Sequence, residues 1–158
     1  MSTTLDNRIL IKAESLFLRY GIKSVSMDDI ARELGISKKT LYQSVENKKD
    51  LLMQVIQAHV ANELEAMNTI QKEATDAIDE MLRITQYVLP TLRQMSPTVI
   101  YDMQKYYQEV WQLIEAYHNE EIFDMIKTNL ERGINEDVYR DDFNTDIVAK
   151  LYLSLIHI

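Results

Sequence analysis

The sequence is 158 residues long, 46% hydrophobic and free of cysteine, with a formal net charge of −8 at pH 7. No apolar run reaches the roughly 20 residues of a membrane helix, a disulfide framework and a thiolate metal site are both excluded, and three glycines and two prolines, with Met, Leu, Ile, Glu and Lys abundant, argue an all-α protein. The charge is unevenly divided: residues 1–50 carry nine Lys/Arg against seven Asp/Glu, and residues 51–158 carry eight against eighteen, so only the N-terminal third suits a polyanion.

The first twelve residues, MSTTLDNRILIK, lack the apolar core of a signal peptide. Residues 1–4 are expected to be disordered. Leu5, Ile9, Ala13, Leu16, Phe17 and Tyr20 share a stripe, which predicts a helix from about Asp6 to Tyr20, stopped by Gly21. Arg8 and Lys12 near its outer end read as solvated cations.

Ser24 to Leu52 is the most informative stretch. Ser26 stands where an N-cap should, with Asp29 three residues on in a capping-box position. Asp28 and Asp29 suit the positive end of a helix. Met27, Ile30, Ala31 and Leu34 fall at i, i+3, i+4 and i+7, and Gly35 follows where a left-handed residue is wanted. Ile36 can plug the corner, and Ser37 caps a second helix over 37–44. Leu41 and Val45 face inward, leaving Lys38, Lys39, Thr40, Tyr42, Gln43 and Ser44 mostly outward, with the chemistry that meets phosphates and base edges. Asn47 and Lys48 open a third helix at once. The pattern is a helix-turn-helix.

The run resembles the DNA-binding domain of the TetR/AcrR family of bacterial transcriptional regulators. The resemblance rests on Tyr20-Gly21, on Ser26 to Ala31, on Leu34 to Tyr42 and on Asn47 to Leu51. It departs at Val45, where the family commonly has Phe, and at Ser44, where His or Tyr is frequent. The resemblance implies a DNA interface of Ser26, Ser37, Lys38, Lys39, Thr40, Tyr42, Gln43, Ser44 and Lys48. Lys38, Thr40, Tyr42 and Lys48 are assigned mainly to phosphate, and Lys39, Gln43 and Ser44 are placed nearer bases.

Leu51, Leu52, Val55, Ile56, His59, Val60 and Leu64 continue a long helix to about Ile70, with His59 read as a hydrogen-bonded interior histidine. The next helix is expected from about Ala74 to Gln94, its stripe formed by Ala77, Ile78, Met81, Leu82, Ile84, Thr85, Val88 and Leu89, with Pro90 kinking or dividing it. Ser96 as N-cap and Pro97 at the first helical position start another. Tyr101, Met103, Tyr106, Tyr107 and Trp111 then cluster, and the family places its effector cavity in this part of the fold. With Tyr87 they form the candidate effector pocket. A further helix runs from about Glu109 to Arg132, stopped by Gly133, and Asn144-Thr145-Asp146 starts a last one.

Family members usually continue through this helix and one more, which form most of the dimer interface. Leu153 to Ile158 resembles the translation of a sequencing-library adapter, so native sequence is expected to end near Tyr152. The expected architecture is a helix-turn-helix domain over residues 1–48 and an incomplete helical effector-binding and dimerisation domain over 49–158. The expected function is a cytoplasmic, ligand-responsive regulator, a repressor, that binds a palindromic double-stranded operator as a homodimer when full length, with a small-molecule effector and without cofactor or membrane partner. The alternative is a helical protein-interaction module that does not bind DNA. Catalysis is not expected, since Asp76, Asp79 and Glu80, or Glu120, Glu121 and Asp124, read as solvated faces.

Overall fold

A computed structural model describes residues 2–156. The described residues fold into helices and turns without a strand. In order they are α1 (Ser2–Tyr20), α2 (Met27–Leu34), α3 (Lys38–Leu41), α4 (Lys48–Glu73), α5 (Ala77–Gln94), α6 (Thr98–Tyr106), α7 (Gln108–Tyr117), a π turn (His118–Ile122), α8 (Phe123–Asn135) and α9 (Thr145–Ile156). They form two compact units, Met1–Asn62 with Leu92–Gln112, and Glu63–Thr91 with Leu113–Ile158. The helix-turn-helix segment thus shares its unit with α6 and the start of α7.

The first unit is closed by the faces that the periodicity marks. Ile9, Ala13 and Phe17 of α1, Met27, Ile30, Ala31 and Leu34 of α2, Leu41, Val45, and Leu51, Leu52 and Val55 of α4 are all buried. Removing a side chain of this size from water contributes about 1.5–3 kcal/mol, so these positions dominate the stability of the unit. Two turns are set by glycine. Gly21 (φ 84) ends α1 and Gly35 (φ 67) ends α2, where a Cβ would be strained.

Several expectations need correction. The helix predicted from Asp6 begins at Ser2, so the expected disorder of residues 1–4 does not hold at residues 2–4; Met1 lies outside the described residues. Tyr20 is exposed, with the Arg19 guanidinium over its ring, rather than packed on the stripe. The second helix of the pair is only Lys38–Leu41, followed by a turn through Ser44. Pro90 lies inside α5 without dividing it, and Pro97 occupies the N-cap of α6 rather than its first turn. On α5, Ala77 and Ile84 are buried, but Ile78, Leu82, Thr85 and Leu89 are exposed.

The second unit corrects the sequence reading most. The single helix expected over 109–132 is α7, the π turn and α8, and Gly133 is not its stop. Gly133 lies two residues before the end of α8, and a Cβ there would collide with the Tyr139 ring packed over it. The terminus is made instead by Asp137 (φ 57) and by the amides of Val138 and Tyr139, which both donate to the Gly133 carbonyl. Glu80, read as part of a solvated face, is fully buried. Arg132 Nη1 donates to its Oε2 at 3.0 Å, and Arg132 also donates to Glu136 Oε1 and the Ala74 carbonyl. Buried Asn129 donates to the Ala77 carbonyl and accepts from the Tyr139 hydroxyl. On α9, Ala149 and Leu153 are buried and Ile147 and Leu151 exposed. The expected break near Tyr152 falls within this helix; His157 and Ile158 lie outside the described residues.

Candidate nucleic-acid interface

The capping chemistry that starts α2 and α3 positions the candidate interface. Ser26 Oγ accepts from the Asp29 amide at 3.1 Å and donates to Asp29 Oδ2 at 2.6 Å, while the Ser26 amide donates to the same carboxylate. The capping box is complete, and these Ser26 bonds are the leading reason that the Asp29 carboxyl is held below its ordinary range. Ser37 Oγ accepts from the Thr40 amide at 3.0 Å and lies 2.8 Å from Thr40 Oγ1. Both serines therefore build the element first, and a phosphate would share their hydroxyls.

Beneath α3, Leu41 is wholly buried and Val45 nearly so, which fixes the rotation of the short helix. Lys38, Lys39, Tyr42 and Gln43 are exposed, and Thr40 and Ser44 are half-buried. Lys38 Nζ is 2.9 Å from Asp28 Oδ1, a contact that holds the ammonium above its ordinary range. Lys39 forms no ion pair among the described residues. Ser44 Oγ donates to Asp6 Oδ1 at 2.6 Å and braces α1 rather than standing open towards a groove.

Lys48 is half-buried. Its Nζ reaches the Lys23 carbonyl at 3.4 Å, and burial is the main reason its pKa lies below the lysine range, opposed by Asp102 and Asp29. Asn47 caps α4 by accepting from the Asp50 amide. His59 Nδ1 lies 2.7 Å from Glu14 Oε1, in keeping with a bonded, partly interior histidine.

Sequence reasoning missed the clamp behind this surface. The amide of Lys23, in the turn between α1 and α2, donates to Asp102 Oδ2 of α6 at 2.7 Å. Asp102 is buried, and the Ser96 amide donates to the Leu18 carbonyl at 2.6 Å. Lys23 Nζ donates to the Tyr106 hydroxyl at 3.1 Å, and Lys49 pairs with Glu109 at 2.8 Å. The available signal was an acid at position 102 between two core residues, Val99 and Met103.

This arrangement bears on the predicted effector pocket. Tyr101 and Tyr106 are exposed and edge-to-face at 6.4 Å, and Lys105 Nζ donates to the Tyr101 hydroxyl. Met103 is core, and Tyr107 and Trp111 are half-buried. Tyr87 belongs to the other unit.

Residues 9–55 match the family described as bacterial regulatory proteins, tetR family. The chain is 25% identical over 154 residues to the HTH-type transcriptional regulator YvaF of Bacillus subtilis, covering 97% of this chain and 80% of that one. It is 35% identical over 69 residues to the HTH-type transcriptional activator FasR of Mycolicibacterium smegmatis, covering 44% of this chain and 32% of that one. Among solved structures, a TetR-family transcriptional regulator from Agrobacterium tumefaciens superposes with a TM-score of 0.84 at 17% identity, covering 98% of this chain and 84% of that one. A transcriptional regulator from Saccharomonospora viridis, in complex with choline, superposes with a TM-score of 0.80 at 22% identity, covering 98% and 82%. The helix-turn-helix that matches the tetR family over residues 9–55 thus sits in an all-helical fold that the chain shares with these solved regulators.

Proposed function

We propose that the chain is a ligand-responsive repressor that binds a roughly palindromic operator as a homodimer in the cytoplasm. The observation that carries the DNA-facing part is the shared exposure of Lys39, Tyr42 and Gln43 on and just after α3, above a locked Leu41 and Val45. Two copies would set this surface into successive major grooves. Lys39 and Gln43 read base edges; Lys38, Thr40, Tyr42 and Lys48 hold phosphate, and Ser26 and Ser37 present helix N-termini to it. Ser44, engaged with Asp6, positions α3 instead. The choline complex of a regulator with this fold supports a small-molecule effector.

The test is selection of an operator from random duplexes, followed by anisotropy titration over a range of salt. The expected result is sequence-selective binding that weakens steeply with salt, two chains per site, and relaxed selectivity in Lys39→Ala and Gln43→Ala. DNA affinity that does not respond to salt would overturn the reading and favour a protein-interaction module.

A further inference from the structure

Tyr101, Lys105 and Tyr106 are exposed on α6, and Lys23 meets them from the turn between α1 and α2; all four belong to the first unit. Lys23 Nζ donates to the Tyr106 hydroxyl at 3.1 Å and lies 4.6 Å from the centre of its ring. Lys105 Nζ donates to the Tyr101 hydroxyl at 2.6 Å and lies 5.5 Å from the centre of the Tyr106 ring. Two ammonium groups are thus gathered on one edge-to-face pair of phenols.

Acids do not account for the gathering. Neither ammonium pairs with a carboxylate among the described residues. Asp102 is buried and takes the Lys23 amide, and Glu109, one turn beyond Lys105, pairs with Lys49 instead. The cluster is therefore a local exception to the acidic charge of residues 51–158. What it offers is donors. Each phenol oxygen accepts from a lysine, which leaves its O–H to donate outward, and each ammonium keeps further N–H groups. The Lys23 hydrogen bond is the leading reason that the Tyr106 phenol lies below its ordinary range. A cation finds the ring faces already occupied by like charge. An anion with several acceptor oxygens matches every group present.

Position selects among anions. Lys23 shortly precedes Ser26, the N-cap of α2, and its carbonyl lies 3.4 Å from Lys48 Nζ. Lys48, Lys23 and Lys105 therefore form a row that is continuous with the candidate DNA surface. A phosphate strand held at Lys48 and at the start of α2 has this row as its track; an acidic peptide has no comparable lead-in.

We propose that Lys23 and Lys105, set on Tyr101 and Tyr106, form a second phosphate-binding surface, through which α6 holds the operator flank outside the segment that α3 reads. This rests on the operator-binding reading above and extends its footprint beyond the helix-turn-helix.

The full chain is titrated by anisotropy with the minimal selected operator and with the same operator lengthened by arbitrary sequence on both sides. The longer duplex is expected to bind at least about fivefold more tightly at about 50 mM salt, with log K against log salt steeper by about 0.9 for each phosphate gained. The readout is the ratio of the two affinities, so that a variant's general loss of stability cancels. Lys105→Gln and Lys23→Gln are each expected to bring the ratio towards one, and Lys105→Arg to keep it. A parental ratio of one, or an unchanged ratio in Lys105→Gln, overturns the inference while selective binding of the minimal operator leaves the operator reading standing. A chain that binds neither duplex defeats both.

Discussion

At the residue scale, one missing methyl group and one carboxylate organise the end of α8. Gly133 leaves the space that the Tyr139 ring fills, and the Tyr139 hydroxyl donates to Asn129 and to the Ala77 carbonyl. Gly133→Ala should therefore cost about 1–3 kcal/mol through overpacking, read as a lowered urea midpoint with an unchanged slope; a neutral result would mean the ring moves aside freely. Glu136 accepts from Arg132 and from the Ala77 amide, and these two contacts, Arg132 first, hold its carboxyl below the ordinary value of 4.5. A depressed carboxyl stabilises the fold fully above its unfolded pKa, and that stabilisation is lost as pH falls through the lower folded value. Glu136→Gln should thus be less stable than the parent at neutral pH and should lose less on acidification below that ordinary value. Parallel melting curves for the two proteins would disprove the assignment.

At the element scale, α6 acts as a strut behind the helix-turn-helix. Its Asp102 takes the Lys23 amide, and its Thr98 abuts Gly21, so the turn that aims α2 is held from the far side of the chain. Asp102→Ala leaves that amide without its acceptor. The expected cost is about 1–3 kcal/mol, with faster hydrogen exchange at the Lys23 amide; exchange as slow as in the parent would show that the clamp does not hold the turn. This strut was poorly legible in the sequence, whereas α2 was fully so, because local and tertiary signals differ in kind. In α2 the cap, the first-turn acids, the apolar spacing and the terminal glycine all agree within ten residues. The role of Asp102 depends on a partner 79 positions away, and that of Gly133 on a ring that no spacing rule connects to it. Glu80 reads as part of a solvated face in the sequence because its buried place depends on Arg132, 52 positions away. For the same reason the outward set on α3 could be named from phase alone, while the engagement of Ser44 with Asp6 could not.

At the scale of the whole molecule, the separation of charge decides how DNA is met. Residues 51–158 carry eighteen acids against eight bases and repel phosphate, which under the proposed reading leaves binding to a small group of cations near α3. Two of those cations are already engaged: Lys38 with Asp28, and Lys48 partly withdrawn onto the Lys23 carbonyl. On the proposed reading, Lys38 exchanges Asp28 for phosphate on binding, while the exposed Asp28 itself opposes the approaching strand. Asp28→Asn should remove both penalties. Affinity for specific and non-specific duplexes should rise together, because no base is read by this residue, and the slope of log K against log salt should steepen by about one phosphate equivalent, near 0.9. Lys48→Ala should weaken binding to all sequences and flatten the slope by a similar amount, if the amine turns outward on contact. The measurement is anisotropy at four or five salt concentrations on one operator and one scrambled duplex. An Asp28→Asn protein with parental slope and affinity would mean that Lys38 points at solvent in the complex, and the phosphate role would pass to Lys39 and Tyr42.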